Sequence, residues 1–346
     1  MIRKSRLHSG IGVLTRCSVV FWSIFTSAEA TQAADVPAPV LERTATIALK
    51  GPVGGLDHLT IDSKRERLFV ANTSNGTVDV VDLKTQTLIK QIPDQGKARG
   101  VFYSRDADRI FVGAGVGGMC NTIDAEKLEP IRSVAMGGDA DNVRYNPKTR
   151  RIYVAHDDRE IRVIEADSTS VSKRIAIPPE VGAFQLESNK PRMYVNSKTG
   201  YVIVIDTEKD EAIDRFSVAP AGVNAALAID EEGRRLFVGC RENPALVVLN
   251  ADTGRKVASL PIPGGVDDVS FDAERGLVFA SCGEGAIAVI RKIDSDRYES
   301  ATTIKTAKGA KTSVYHAETK TLYLAVPRSA DRPEQKNPEV WAYRLR

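Results

Sequence analysis

The sequence predicts an all-β fold, a seven-bladed β-propeller of four-stranded antiparallel blades, from one repeated phrase and its spacing. The phrase Arg67-Leu68-Phe69-Val70-Ala71 follows Asp62 and precedes a second β-rich stretch, 77–82. Its first apolar residue has equivalents at intervals of 41 to 45 residues, at Leu68, Ile110, Ile152, Met193, Leu236, Leu277 and Leu322. Such a period is typical of propeller blades, because one four-stranded sheet cannot bury both faces until neighbouring sheets stack on it.

Each repeat reads as four short strands, which we name A to D from the channel outward. In the first repeat these are Leu59 to Ile61, Arg67 to Ala71, Thr77 to Val81 and Thr87 to Ile92. β-branched and aromatic residues dominate strands B and C, as expected for strands buried between blades. The A–B turn begins at Asp62, a short side chain that can accept backbone hydrogen bonds. Its equivalents are Ser104, Asn146, Glu187, Asp230, Asp272 and His316.

The two ends of the repeat region predict how the ring closes. The last repeat ends at its C strand, 340–343, and has no D strand after it. Residues 43–49 precede the first A strand and have no B or C strand of their own. Because an open ring would expose a sheet edge, we expect this segment to supply the outer strand of the seventh blade.

The repeat phrases identify a resemblance. The pattern D-x-x-x-x-R-L-F-V-A followed by T-V-D-V-V-D-L-K-T resembles the YVTN-repeat, YncE-like family of bacterial seven-bladed propellers, over about residues 43–346. The stretch 239–255 is an especially close match. The resemblance implies the propeller fold but no particular activity, because propellers host unrelated functions.

The first thirty residues are typical of a secretory signal peptide. A basic start at Arg3, Lys4 and Arg6 precedes an apolar stretch around residues 19–25, and Ala28-Glu29-Ala30 is a small-x-small cleavage site. The apolar stretch is shorter than the roughly 20 residues that a transmembrane helix needs. Residues 31–42, which are rich in Ala and Pro, are predicted to be a linker, and a periplasmic or secreted propeller is expected over 43–346.

Charge argues against a nucleic-acid partner, although some relatives of this family are associated with DNA. The formal net charge of +3 falls to zero when residues 1–30 are removed, because four positive charges and one negative charge leave with them. A neutral domain has no overall basic field for DNA. We therefore expect a small molecule, a peptide or a protein as the partner, no membrane span and a monomer.

The cysteines leave one alternative open. The predicted mature chain has Cys120, Cys240 and Cys282. Cys240 and Cys282 follow equivalent B strands of adjacent blades, so they could form a disulfide in an oxidising compartment. Two separate buried thiols are the other possibility, because a disulfide needs Cα atoms within about 7 Å.

The candidate site is a polar ring at the channel mouth. When the repeats are aligned on Asp62, the residues five places earlier are Asp57, Arg99, Asp141, Gly182, Ala225, Asp267 and Lys311. The residues that follow them are His58, Gly100, Asn142, Ala183, Ala226, Asp268 and Thr312. Asp and Asn before a strand often satisfy only turn amides, and opposite charges near a water-filled channel neutralise each other. A concave polar mouth is equally a place where a small ligand or cation binds.

Each charged member of this ring has a candidate role. Carboxylates are the ligands that Ca²⁺ or Mg²⁺ prefers, so Asp57, Asp141 and Asp267 are the candidate metal ligands. His58 is the candidate general base. The candidate ligand-binding residues are Arg99, Asn142, Asp268 and Lys311. Gly182 and Ala225 are expected to leave room at two blades.

Three functions are compatible with the sequence, and the first two use this ring. The first is a binding module for a small molecule, peptide or partner protein at the channel mouth. The second is a hydrolase or lyase that resembles propeller lactonases, in which a divalent cation polarises a carbonyl and His58 moves the proton. The third is a scaffold that uses the flat faces.

Four other features carry less weight. His156 with 157–158 could extend a metal site or belong to a solvated loop, and His316 is expected to be structural. The glycine-rich stretch 113–118 joins two strands, so it is not expected to bind a dinucleotide or phosphate. The charged loop 327–338 could cover the mouth or be mobile.

Overall fold

The structure, a computed structural model, describes residues 41–156, 159–177 and 181–346. In these ranges the regular secondary structure is β-strand, arranged in four-stranded antiparallel sheets as the repeat predicts. The predicted signal peptide and residues 31–40 of the predicted linker lie outside the described residues. Within the described ranges, no helix is long and apolar enough to cross a bilayer.

Blades 1 to 6 each take their four strands from consecutive segments of the chain. The strands of blades 1 to 3 are β2 Leu59–Asp62, β3 Arg67–Asn72, β4 Thr77–Asp82, β5 Thr87–Ile92, β6 Ala98–Ser104, β7 Arg109–Ala114, β8 Met119–Asp124, β9 Pro130–Ala135, β10 Ala140–Asn146, β11 Arg151–His156, β12 Glu160–Glu165 and β13 Lys173–Ala176. The strands of blades 4 to 6 are β14 Val181–Leu186, β15 Arg192–Ser197, β16 Tyr201–Asp206, β17 Glu211–Ser217, β18 Gly222–Asp230, β19 Arg235–Glu242, β20 Ala245–Asn250, β21 Lys256–Pro261, β22 Val266–Asp272, β23 Leu277–Cys282, β24 Ala286–Lys292 and β25 Tyr298–Lys305.

Blade 7 is built from both ends of the described chain, and this confirms the predicted ring closure. Its strands are β26 Ser313–His316, β27 Thr321–Val326, β28 Glu339–Leu345 and, as the outer strand, β1 Leu41–Ala48. The pairing of β1 with β28 runs from Leu41 opposite Leu345 to Ala48 opposite Glu339. The closing strand therefore begins two residues earlier than residue 43, where the sequence places the end of the linker.

The core lies between blades. The inner strands β2, β6, β10, β14, β18, β22 and β26 contact one another in sequence, and β26 contacts β2 to complete the ring. Each of the seven interfaces between adjacent blades contains a cluster of buried apolar residues of the described chain. Phe69, Phe111, Phe237 and Phe279, which occupy equivalent positions in strand B, are at most 2% exposed. Stacking of neighbouring sheets thus removes the apolar face of each blade from water.

The A–B turns use the predicted acceptors. Asp62 Oδ1 accepts hydrogen bonds from the amides of Lys64 (3.0 Å) and Arg65 (3.2 Å), and Asp272 Oδ1 does the same for two amides of its own turn. Glu187 differs, because its longer side chain accepts from Tyr194 Oη (3.1 Å) and from Arg234 instead of the turn.

The inner strands carry a further shared feature. In blades 2 to 6 the register between strands A and B shifts near the start of strand A, as between Ala98 and Val101 of blade 2. Such a bulge changes the alternation of side chains along a strand. Residues three apart on strand A therefore reach the same side of the sheet, toward the channel.

The three cysteines of the described residues, Cys120, Cys240 and Cys282, are free, buried thiols. Cys240 lies in β19 and donates a hydrogen bond to Asn224 Oδ1 (3.6 Å), and Cys282 ends β23. Of the two alternatives that the sequence leaves open, the structure therefore has the separate thiols. Burial raises the pKa of each thiol to about 12, so none is a thiolate at neutral pH.

Candidate functional site

The channel has two ends, which we name by the connections that surround them. The B–C and D–A loops surround the upper mouth, and the A–B and C–D turns surround the lower mouth. At the upper mouth a cavity of about 230 Å³ is lined by the predicted seven-residue ring, Asp57, Arg99, Asp141, Gly182, Ala225, Asp267 and Lys311. The structure thus brings residues from seven repeats to one place, which we call the upper cavity.

Main-chain pairing of blade 1 positions Asp57 and His58. The Asp57 amide donates to the Ala71 carbonyl (2.9 Å), and the Ala71 amide donates to the His58 carbonyl (3.0 Å), so both residues extend the β2–β3 ladder. The His58 amide also donates to the Arg99 carbonyl of blade 2 (3.3 Å). The two side chains are therefore fixed by backbone contacts at the start of the inner strand.

His58 lies between two carboxylates. Its Nδ1 is 3.3 Å from Asp268 Oδ2, and its Nε2 is 3.7 Å from Asp57 Oδ1. Asp268 does not line the cavity, and its Oδ2 also accepts a hydrogen bond from the Ser313 amide of blade 7 (2.9 Å). Asp268 therefore supports His58 from below, while Asp57 and His58 face the cavity.

These contacts set the protonation of the pair. Burial alone would lower the pKa of His58, but the charges of Asp268, Asp57 and Asp141 and the hydrogen bond to Asp268 raise this pKa to about 10. Burial raises the pKa of Asp57 to about 7, although His58 opposes that shift. Burial also raises the pKa of Asp141. At neutral pH His58 is therefore an imidazolium, which has no lone pair with which to accept a proton.

Asp267 is held by two cations from neighbouring blades. Lys311 Nζ of blade 7 lies 2.7 Å from Asp267 Oδ2, and Arg241 of blade 5 donates to Asp267 Oδ1. Arg241 Nε also donates to the Val266 carbonyl (2.9 Å). The carboxylate therefore has one positive partner on each side along the rim.

Arg99 forms a second charged group on the opposite part of the rim. Its Nη2 is 2.9 Å from Asp139 Oδ2, and its Nη1 is 4.0 Å from Asp141 Oδ2. A Cβ added at Gly115 would lie 2.8 Å from both Arg99 Nε and Asp139 Oδ1. The glycine-rich β7–β8 loop is therefore needed here for close approach to this ion pair, and it joins two strands as predicted.

Gly182, the small residue at blade 4, has a packing role that the sequence does not reveal. A Cβ at Gly182 would lie 2.7 Å from the Asn224 carbonyl oxygen and 3.1 Å from Asn196 Cβ. Gly182 therefore lets blades 4 and 5 approach closely, besides leaving room in the cavity. Asn142 and Ala183 of the second predicted tier also line the cavity.

Sequence analysis misses three charged lining residues, Asp139, Lys198 and Arg241. Lys198 directly follows strand B of blade 4 and Arg241 lies near the end of strand B of blade 5, whereas the alignment followed only the D–A loops. Both stand five residues after the apolar start of strand B. An alignment on that position would have found them.

The predicted metal ligands do not form a metal centre in this arrangement. Asp57 faces an imidazolium, Asp141 lies near Arg99, and Asp267 is held by Arg241 and Lys311. Among the described residues, no group of three or more His, Cys, Asp or Glu side chains is placed to hold a metal ion. The donor set therefore does not fit a hard divalent cation without rearrangement of these ion pairs, and the Ca²⁺ or Mg²⁺ site stays a prediction.

The weaker candidates lie away from the cavity lining. His156 ends β11, is 1% exposed and has Nδ1 3.4 Å from Glu160 Oε1, while 157–158 lie outside the described residues. His316 donates to or accepts from Thr319 Oγ1 (2.9 Å) in the seventh A–B turn, as expected of a turn residue. No residue of the loop 327–338 lines the upper cavity. The loop instead contacts the β1–β2 connection through Gly54 and Arg328.

Comparison with known proteins supports the fold. No family model matches the sequence, and no curated protein matches it. Many solved structures match the fold, among them a chain of Kuenenia stuttgartiensis hydrazine synthase, with a TM-score of 0.70 and 13% identity over 80% of this chain and 94% of that chain. At this identity the likeness supports a β-propeller and carries nothing about activity. The YVTN-repeat, YncE-like resemblance stays a prediction.

Proposed function

We propose that the protein is an exported binding module whose upper cavity takes up a small polar molecule that carries both a positive and a negative group. The observation that carries the proposal is the convergence of eight Asp, Arg and Lys residues, with at least one from each of the seven blades, on one cavity of about 230 Å³. Structural needs of the turns do not account for it, because the turn acceptors lie at the opposite end of each inner strand.

The size of the upper cavity favours a small ligand. Pockets for drug-sized molecules span roughly 300–1,000 Å³, so this cavity suits a molecule of about amino-acid size. A peptide or protein partner would place a single side chain in it. Small-molecule binding is therefore the form of the binding-module hypothesis that the geometry favours.

The charges favour a ligand with groups of both signs. A ligand ammonium group would find the carboxylates of Asp57 and Asp141, and a ligand carboxylate would find Arg99, Arg241 and Lys311 around the same rim. Each ligand group would exchange one intramolecular ion pair for another, so selectivity would come from fitting both groups at once.

Isothermal titration calorimetry with individual free amino acids as zwitterionic probes tests this proposal. We expect at least one amino acid to bind, and Asp57→Asn and Lys311→Met each to weaken that binding at least about tenfold. Lys84→Met is the matched control, because Lys84 also forms an ion pair, 2.6 Å from Glu66, but lies in the C–D turn of blade 1. Failure of every amino acid to bind, or unchanged binding in both variants, would contradict the proposal.

The metal-assisted hydrolase or lyase remains a separate hypothesis. Protonation of His58 at neutral pH does not favour its role as a general base. Elemental analysis of protein purified without chelators tests the metal directly. About one Ca or Mg per chain, lost in Asp57→Ala or Asp267→Ala, would favour the enzyme over the binding module.

Export is tested on the chain itself. If residues 1–30 are a signal peptide, intact mass measurement of protein from a periplasmic or culture fraction gives a chain that begins at Thr31. A chain from that fraction that retains residues 1–30 would contradict cleavage at the predicted site.

A further inference from the structure

The lower mouth holds a larger cavity that the proposed function does not use. It has a volume of about 570 Å³ and lies at the A–B turns of blades 3 and 4, with one wall from blade 2. Its lining includes Phe102, Arg144, Tyr145, Lys148 and Gln185. We call it the lower cavity.

Arg144 of β10 is the central group of the lower cavity. Its guanidinium carbon lies 5.6 Å from the centroid of the Phe102 ring and 5.7 Å from that of the Phe184 ring. Its Nη1 donates to the Val143 carbonyl (2.8 Å), and its Nε donates to Gln185 Oε1 (3.3 Å). Two aromatic rings and two hydrogen bonds therefore fix the guanidinium in place.

No carboxylate balances this cation at close range. Among the described residues, none of the ion pairs within 4.0 Å involves Arg144, whereas Arg99, Arg241 and Arg234 each pair with a carboxylate. Burial lowers the pKa of Arg144, and only the more distant charges of Asp268 and Asp141 oppose that shift. A desolvated cation without a close partner is a strong attractor of anions.

The carboxylates that line the lower cavity do not supply that partner. Glu187 is buried and already holds Arg234 and Tyr194 Oη. Asp106 and Glu208 belong to turns at the rim, and neither pairs with Arg144. Lys148 adds a second positive side chain to the lining.

Part of the remaining lining is apolar, and the rest includes polar side chains such as Asn146, Ser188 and Asn189. Phe102, Tyr145 and Leu186 line the cavity beside the guanidinium. A planar guanidinium binds a carboxylate through two parallel hydrogen bonds, and the neighbouring rings offer a surface for an apolar group. The combination suits an anion with a hydrophobic part.

We propose that the lower cavity is a second binding site, for a small organic carboxylate whose charged group is bound by Arg144 and whose apolar part packs against Phe102 and Tyr145. This site is independent of the upper cavity. Its ligand is distinguished from inorganic anions by the apolar wall and from neutral aromatic molecules by the guanidinium.

Benzoate is the probe for this site, followed by isothermal titration calorimetry. We expect benzoate to bind the wild-type protein, and the neutral analogue benzamide and inorganic phosphate each to bind at least about tenfold more weakly. Arg144→Met keeps an unbranched apolar side chain between the rings, and should weaken benzoate binding at least tenfold. Lys311→Met, which alters the upper cavity only, should leave it unchanged.

Chemical labelling tests the same site without any substitution. Phenylglyoxal modifies accessible arginines, and mass spectrometry locates the product. Benzoate should slow labelling of Arg144 and leave unaffected the labelling of Arg297, whose side chain is 71% exposed. An Arg144 that resists labelling, or labels equally fast with and without benzoate, would show that this cation only balances Asp141 and Asp268, and would overturn the proposal. Equal benzoate affinity in a folded Arg144→Met would do the same.

Discussion

The two mouths of the channel are built from the same inner strands but differ in whether their charged side chains have partners of opposite charge. At the upper mouth, carboxylates and cations are interspersed around the rim, and Asp267, for example, has a cationic partner on each side. At the lower mouth, the residues two places before the A–B turn are Thr60, Phe102, Arg144, Gln185, Ala228, Ser270 and Val314. Arg144 is the one charged residue in that tier.

This difference teaches how a repeat can make two unlike sites. Residues five and two places before the turn both reach the channel because a bulge changes the alternation along the inner strands of blades 2 to 6. Because the two tiers are different positions of the repeat, each can carry its own set of side chains. Charge can therefore be paired at one end and left unbalanced at the other.

Opening the ring should have the largest effect, because it breaks both mouths at once. A chain that begins at Leu49 lacks β1, so it leaves β28 as an exposed edge strand. We expect a loss of more than about 5 kcal/mol in the free energy of unfolding, comparable to the total stability of many domains. Urea denaturation followed by circular dichroism measures it. A chain that begins at Leu41 is the matched control, and equal stability of the two chains would contradict closure by β1.

Removing one cation from each mouth should lower the free energy of unfolding by different amounts at the two mouths. His58→Gln leaves Asp57 and Asp268 without the charge between them, and we expect a cost of about 2–3 kcal/mol in the free energy of unfolding at pH 7. Arg144→Met leaves no close carboxylate behind, so its cost should stay within about 1 kcal/mol. Urea denaturation of both variants measures the difference. Equal costs would mean that nearby carboxylates balance the two cations to the same extent.

Alkaline pH should weaken the upper mouth alone. The folded pKa of His58 is raised to about 10, so its stabilising contribution is complete below the unfolded pKa of about 6.5 and is lost as the pH rises toward 10. Between pH 8 and pH 9 the cost of His58→Gln should therefore fall by about 1 kcal/mol. The cost of Arg144→Met should not change, because arginine stays protonated.

Stability curves at the two pH values check this. The three buried thiols contribute equally to wild type and variant, so the difference reports His58 together with Asp57, whose pKa His58 lowers. A cost of His58→Gln that is the same at pH 8 and pH 9 would mean that the imidazole is neutral in the folded protein.

The smallest effect is expected at an exposed pair of the same rim. The Arg99 and Asp139 side chains are 38% and 40% exposed. Because solvent screens such pairs, Asp139→Asn should change the free energy of unfolding by no more than about 0.5 kcal/mol. Urea denaturation of Asp139→Asn and His58→Gln under the same conditions measures both changes in the free energy of unfolding. An equal cost in the two variants would show that the exposure of a pair does not determine its contribution to stability.

The fold was predictable from sequence because the same strand pattern recurs in all seven repeats. Strand D of blade 1 runs from Thr87 to Ile92 as predicted, and the other strands of that blade extend only one residue further. The end of the linker was placed two residues late, because Leu41 and Glu42 look like linker in sequence and are recruited only by pairing with β28. Pairing between distant segments is not visible in local pattern.

The sequence predicts which residues form the candidate site but does not predict their protonation states. A single alignment offset finds Asp57, Arg99, Asp141, Asp267 and Lys311, because equivalent positions of a closed ring must converge. The same alignment cannot say that His58 lies between two carboxylates, since Asp268 is 210 residues away from His58 in the chain. Protonation depends on those distances, which sequence alone does not provide.

The closing strand has one more consequence. Because Leu41 pairs with Leu345, the ends of the described chain lie side by side on the outer strands of blade 7. A short linker could join them, and a cut in the C–D turn of any of blades 1 to 6 would then create a circular permutant with the same seven blades. In such a permutant a different blade would be assembled from both ends of the chain. The position of the cut therefore determines which blade is assembled from both ends of the chain. Both mouths would keep the same residues.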